Sequence, residues 1–319
     1  MKKKLKPIDD SQLLAEAKKD FYQYIDIDTL NQYTDGRYSN SSLLAMRSDW
    51  NRYIDFCYRK SASVFPPQTD IIQLFLESES LNRKYSSIRR YSITLSSIYR
   101  LLGEPDPLRQ SHIRQCLMTL RLKKSGDQKQ SDAFTSLHLE LIEHKLGKSD
   151  KIIDLRDLAI FYIMFECALK RAELRELNFE QISIQNNIVT ISLDENVYPL
   201  SEQASNSVIK WLSHIKDNYS PVFRAVDKHH NVSDKKLNDS SIFRIFRKAA
   251  ELIGKPELRF SGQSARIGAA QDLHKRGEKI TDIQIFGRWN SPVMPFQYIG
   301  NSSQSKQHQL RYKKFKPWD

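Results

Sequence analysis

The 319-residue chain has few cysteines, only Cys57, Cys116 and Cys167. Each sits in an apolar helical context and none stands at metal-ligand spacing from another. That excludes a cysteine zinc site or a disulfide scaffold and fits reduced core thiols of a cytoplasmic protein. No metal and no other cofactor is expected. No apolar run approaches the roughly 18 residues of a membrane span, so no membrane partner is expected. Met1-Lys2-Lys3-Lys4 is basic, but no apolar stretch follows it, so it does not read as a signal peptide. Internal repeats and long low-complexity tracts are lacking. Acids are short as well: 38 Asp and Glu face 50 Lys and Arg, a net charge of +12. Such a balance points first to a polyanionic partner, most commonly nucleic acid; a merely basic soluble protein is the plainer alternative.

What is present is mostly helical periodicity, over a length that suits two domains, each with its own core. Residues 1–35 are polar and mixed, with one helix expected over 11–24. Ser39-Asn40-Ser41 reads as an N-cap cluster before a helix carrying Leu43, Leu44, Met46, Trp50, Tyr53, Ile54 and Cys57. Phe65-Pro66-Pro67 breaks the chain. Further helices are expected over 69–79, 85–102 and 111–123, with Gly103-Glu104-Pro105-Asp106-Pro107 stopping the middle one. The stretch 123–131 has no apolar residue and reads as a linker. Beyond it, Thr135-Ser136-Leu137-His138-Leu139-Glu140 resembles a capped helix start. Two apolar helical stretches in 154–177 meet near Cys167. Residues 188–193 and 197–200 read as a β-hairpin around Asp194-Glu195-Asn196. The rest reads as helical, interrupted by a polar loop over 227–239.

The basic charge is unevenly spread. Between Arg83 and Lys129 stand eleven Lys and Arg against three acids. Arg83, Lys84, Arg89 and Arg90 cluster at a helix start among Tyr85, Ser86 and Ser87. Hydroxyls and arginines there suit phosphate contacts, with one or two side chains left to reach base edges; a solvated basic helix end is the alternative. Asp239-Ser240-Ser241-Ile242-Phe243-Arg244-Ile245-Phe246-Arg247-Lys248 reads as a capped amphipathic helix with Arg244, Arg247 and Lys248 outward.

The most specific motif is Phe260-Ser261-Gly262-Gln263-Ser264-Ala265-Arg266-Ile267-Gly268-Ala269-Ala270, then Gly287-Arg288-Trp289, then Tyr298. It resembles the second half of the active site of the tyrosine recombinases (the phage integrase family), closest to the Cre-like branch. That family writes His-x-x-Arg, then His or Trp in a glycine turn, then Tyr nine residues on. Arg266, Trp289 and Tyr298 match; Gln263 replaces the His. The family's first-arginine box matches Leu169-Lys170-Arg171-Ala172-Glu173-Leu174, with Lys170 at the arginine place and Glu173 at the acid. One helical step swings a side chain by roughly 100°, so Arg171 is not expected to take over.

The resemblance implies a mainly α, two-domain fold: an N-terminal helical, SAM-like core-binding domain and a C-terminal catalytic-type domain of helices with a small β-sheet. The implied divisions are an extension at 1–38, the core-binding domain at 39–124, a linker at 125–134, the catalytic-like domain at 135–300 and a basic, aromatic tail at 301–319. The implied partner is double-stranded DNA, which would associate the protein with the nucleoid. The implied DNA-reading residues are Ser41, Ser42, Leu43, Met46 and Arg47 on one helix, Ser86, Ser87, Arg89 and Arg90 on another, and Arg244, Arg247 and Lys248 on a third. Family tails dock on a neighbouring protomer, so a homo-oligomer on DNA is implied, as are transposition or recombination proteins as partners.

The family reaction is attack of Tyr on a phosphodiester, giving a 3′-phosphotyrosyl link without metal or nucleotide, because bond energy is kept in the link. It needs cations at the non-bridging oxygens, a proton donor for the leaving oxygen and a group managing the Tyr proton. Lys170 loses the planar fork of an arginine. Gln263 cannot carry a proton near neutral pH. The family's hairpin lysine is absent: 176–209 holds no Lys or Arg, and Asp194 and Glu195 occupy the turn. Each such loss costs roughly 10²–10⁴ in rate, without additivity. Two readings stay open: a DNA-binding protein of this fold with lost or weak strand transfer, selecting a target site for a mobile element; or an active recombinase forming a 3′-phosphotyrosyl intermediate through Tyr298. An unrelated basic helical protein is a third.

Overall fold

In a computed structural model of the chain, residues 5–127, 130–215 and 221–300 are described. The expected tail, 301–319, lies outside the described residues. The chain divides into two compact units, 1–129 and 130–319, each with a separate core.

The first unit is all helical: α1 (Ser11–Phe21), α2 (Ile27–Tyr33), α3 (Asn40–Arg59), α4 (Thr69–Asn82), α5 (Tyr85–Leu101) and α6 (Ser111–Lys123). Asp10, Asp26 and Ser39 cap the first three, each side chain accepting a first-turn amide, which satisfies a donor the helix cannot. The helix α2 was not anticipated; at seven residues it is too short to show a period. Both α1 and α2 contribute to the unit's core, through Ala17, Phe21, Leu30 and Tyr33. The centre is aromatic: Trp50, Tyr53, Phe75 and Tyr99 are fully buried, and Trp50 donates from Nε1 to the Phe21 carbonyl at 3.1 Å.

The second unit is built around α8 (Ile152–Glu166), in which the eleven residues from Leu155 to Phe165 are all buried. A helix apolar over most of its surface, its buried Arg156 and Asp157 paired with each other at 2.7 Å, can be satisfied only inside. Around it lie α7 (Ser136–Leu146), α9 (Arg171–Glu176), α10 (Glu202–Leu212), α11 (Asp239–Leu252), α12 (Ser264–Lys275), α13 (Ile280–Phe286) and α14 (Val293–Tyr298). Thr135 and His138 form the box that starts α7, with His138 Nδ1 accepting the Thr135 amide at 3.1 Å.

The sheet is larger than the expected hairpin. Strands β1 (Ile182–Gln185), β2 (Ile188–Leu193) and β3 (Asn196–Pro199) form an antiparallel order 1-2-3, with Ile191 opposite both Ile182 and Tyr198. The extra strand turns through Asn186 and Asn187, both at positive φ, as a two-residue hairpin turn demands. The polar stretch expected as a loop over 227–239 is instead largely a second hairpin: β4 (Arg224–Val226) pairs with β5 (Val232–Lys236). Its second strand reads Val-Ser-Asp-Lys-Lys, with no apolar alternation to announce it. Among the described residues, no helix is long and apolar enough to cross a membrane.

Candidate functional site

Four segments of the second unit converge: the turn between α8 and α9, the start of α12, the turn after α13, and the end of α14. Arg266, one turn into α12, is 6% exposed. It donates through its two terminal nitrogens to the main-chain oxygens of Ala168 and of Gly287, the latter at 2.8 Å. Burial works against its charge and pulls its pKa down, with Glu173 acting the other way. Its guanidinium lies 4.5 Å from the centre of the Trp289 ring, a cation–π arrangement. Trp289 in turn meets Tyr298 edge-on, ring centres 5.7 Å apart. The glycine turn exists for this tryptophan: a Cβ on Gly287 would sit 1.9 Å from the Trp289 ring.

Tyr298 closes α14 and is 4% exposed. Its hydroxyl accepts from the Gln263 side-chain amide at 2.5 Å, and Gln271 donates to its main-chain oxygen at 2.9 Å. Gln263 stands outside the first turn of α12 as its cap residue. An amide in that position holds the phenol by hydrogen bonding but has no proton to exchange near neutral pH.

Lys170 is the cap of α9, with extended backbone, and Glu173 folds back on it. The carboxylate accepts the Lys170 amide at 2.7 Å and its ammonium at 2.8 Å. A second cation shares that carboxylate. Arg288, at φ +54° beside Gly287, bonds Glu173 at 2.7 Å and the oxygens of Cys167, Ala168 and Phe286 at 3.2–3.3 Å. It also donates to the Tyr198 hydroxyl on β3. Burial pushes Glu173 up, but the hydrogen bonds from Arg288 and Lys170 outweigh it and hold the carboxyl at about 2. For Arg288, burial opposes the charge, and Glu173 overcomes that and raises its pKa.

The phage integrase family profile matches residues 138–305, more than half of the chain and all of the segments just described. The chain belongs to the phage integrase family. Among curated relatives it is 22% identical over 290 residues to an integrase/recombinase XerD homolog of Selenomonas ruminantium, covering 85% of each chain. It is 24% identical over 285 residues to the recombinase Cre of Escherichia phage P1, covering 81% of this chain and 82% of Cre. Among solved structures, the XerH site-specific recombinase on its difH substrate superposes with a TM-score of 0.63 at 13% identity, over 98% of this chain and 91% of that one. The Tn1549 transposon integrase in complex with circular intermediate DNA gives 0.62 at 11% identity, over 89% and 98%. At such identities these structures speak to the tyrosine-recombinase fold alone.

All six residues expected at the integrase-type site, Lys170, Glu173, Gln263, Arg266, Trp289 and Tyr298, fall in this one locality. The turn facing the absent hairpin lysine carries exposed Asp194, at φ +52°, and exposed Glu195. Arg288 and Tyr198 were missed. Arg288 stands inside the Gly287-Arg288-Trp289 turn, but spacing carries no sign that its side chain turns inward to Glu173. Among the described residues, no group of three or more His, Cys, Asp or Glu could hold a metal.

The residues expected to read DNA are placed unequally. On α3, Ser41 is exposed, Ser42 and Arg47 are half-buried, and Leu43 and Met46 point into the core at 4% and 8% exposure. The core needs both, so neither is available to a groove. On α5, Ser86 and Arg89 are exposed and Ser87 half-buried. Arg90 forks instead onto buried Asp49, at 2.9 and 2.7 Å, with Thr94 completing the cluster at 3.0 Å. On α11 only Arg244 projects outward as expected. Arg247 donates to the Leu258 oxygen at 2.7 Å, and Lys248 bonds Asp154 at 3.1 Å. Helical period alone assigned all three outward; the loop after α11 and the start of α8 supply acceptors that period cannot foresee.

Proposed function

We propose that the chain is a sequence-specific double-stranded DNA-binding protein of the tyrosine-recombinase fold, with strand transfer lost or strongly weakened, that selects a target site in DNA mobility. The observation that carries this is the occupation of the site's own groups. Both terminal nitrogens of Arg266 are engaged by main-chain oxygens. The Tyr298 hydroxyl is held by an amide that cannot take its proton. The ammonium of Lys170 is neutralised by Glu173. With Arg266 6% exposed and Lys170 paired to Glu173, the site presents its cations to an entering phosphate only in part, and catalysis of this type depends on donors preset for the charge that develops. Double-stranded DNA as partner is supported by the net charge of +12. It is supported too by the neighbouring structures, in which XerH, the Tn1549 integrase and lambda integrase are bound to their DNA. Assembly on DNA would use the tail at 301–319, and the machinery served would be that of a transposition or recombination system.

The second reading, an active recombinase, is favoured by Tyr298 itself, kept at the family position with its hydroxyl fixed by hydrogen bonding. A nicked suicide duplex carrying the protein's own site separates the two. The expected outcome is tight footprinting with no denaturation-resistant adduct. An adduct that disappears in Tyr298→Phe defeats the proposal.

A further inference from the structure

The site's basic side chains are not equivalent. Lys170 is tied to Glu173 at 2.8 Å. Arg266 is buried on two carbonyls. Arg288 has a side chain 7% exposed and ends on a carboxylate, three carbonyls and a phenol. Arg171 differs. It is exposed, and among the described residues it makes none of the hydrogen bonds, ion pairs or ring contacts that engage the other three.

Its stem nevertheless lies against Gly262. A Cβ on Gly262 would lie 2.5 Å from the Arg171 Cγ and 2.6 Å from its Cδ, with Ile242 Cγ2 at 3.3 Å on another side. Real side chains do not approach so closely, so glycine at 262 is what leaves room for the arginine to lie there. The next residue is Gln263, whose amide holds the Tyr298 hydroxyl. The arginine therefore leaves the protein surface immediately beside the site. The one-residue helical swing expected to carry Arg171 away does not apply. Lys170 is an extended cap residue and Arg171 is the first helical one, so the two are not related by a helical step.

We infer that Arg171 is a phosphate-binding residue of this site, supplying the planar, two-pronged donor that Lys170 lacks. A guanidinium on a stem already held against the protein loses less freedom on binding and can bridge two phosphate oxygens. The inference rests on the DNA-binding reading above and names the cation through which this part of the molecule would grip the backbone.

The test is the salt dependence of binding to a mixed-sequence duplex, measured by fluorescence anisotropy on the full chain. Removing one phosphate contact lowers the slope of log K against log salt by about 0.9. Arg171→Gln is expected to show that loss, which is roughly fivefold in affinity at 0.15 M relative to 1 M salt. Arg171→Lys should keep the slope while binding more weakly. Gly262→Ala should lower the slope by the same amount with every charge retained, because its methyl displaces the stem. Arg171 is exposed, so its variants test binding without depending on Gly262→Ala folding. Wild-type slope in Arg171→Gln overturns the inference alone. A wild-type chain without salt-dependent duplex binding overturns the DNA-binding reading, and the inference with it.

Discussion

Glu173→Gln gives the sharpest test of how the site is held together. Glu173 is shared between Lys170 and Arg288, and its side chain is 20% exposed. Its pKa is held at about 2 against an ordinary 4.5. A carboxyl depressed in the folded state adds stability that is complete above its unfolded pKa and lost as pH falls through its folded one. The difference of about 2.5 units corresponds to about 3 kcal/mol at neutral pH, at 1.36 kcal/mol per unit. At pH 3 only about 1 kcal/mol of it remains by the same linkage. Glu173→Gln is therefore expected to destabilise the second unit at pH 6, and the gap to wild type should narrow by about 2 kcal/mol on going to pH 3. Because the chain has two units, the measurement is native-state hydrogen exchange of the α8 amides, which reports opening of the second unit by itself. A gap that stays constant between the two pH values refutes the argument that Glu173 acts as a charged clamp.

Three other substitutions separate packing from binding. Gly268→Ala places a methyl 1.7 Å from the Phe134 main-chain oxygen, a clash neither backbone can relieve; a loss of about 3 kcal/mol or more is expected, read by the same exchange measurement. On α5, Arg89→Ala should leave stability unchanged and lower the salt slope of DNA binding by about 0.9. Arg90→Ala should instead destabilise the first unit by about 2–3 kcal/mol, read from hydrogen exchange of the α3 amides, because it leaves buried Asp49 without its partner. Equal stability of the two variants would contradict the pairing of Arg90 with buried Asp49.

Much of the architecture was readable along the chain because its signals are local. The α6 helix runs over the anticipated residues, Ser39 caps α3 as its hydroxyl suggests, and the apolar stretch around Cys167 divides into α8 and α9. Where local signals are weak, the reading fell short. The helix α2 is too short to show a period, and β5 is a strand of polar residues paired through its backbone. The motif residues were legible for a different reason: their types and spacing resemble a family, and the fold brings them together.

By itself, then, the sequence determined the basic charge, the two helical halves and the chemistry available at the site, including the absence of a histidine at 263 and of any lysine on the hairpin. Side-chain direction was decided only by tertiary structure. Leu43 and Met46 turn inward, Arg90 closes on Asp49, Arg288 closes on Glu173, and Arg171 lies free over Gly262. The physical reason is that a long cationic side chain is placed by whichever acceptor or cavity comes within its reach. Those acceptors sit 41 residues away for Arg90 and 115 for Arg288, distances over which neither period nor propensity carries information.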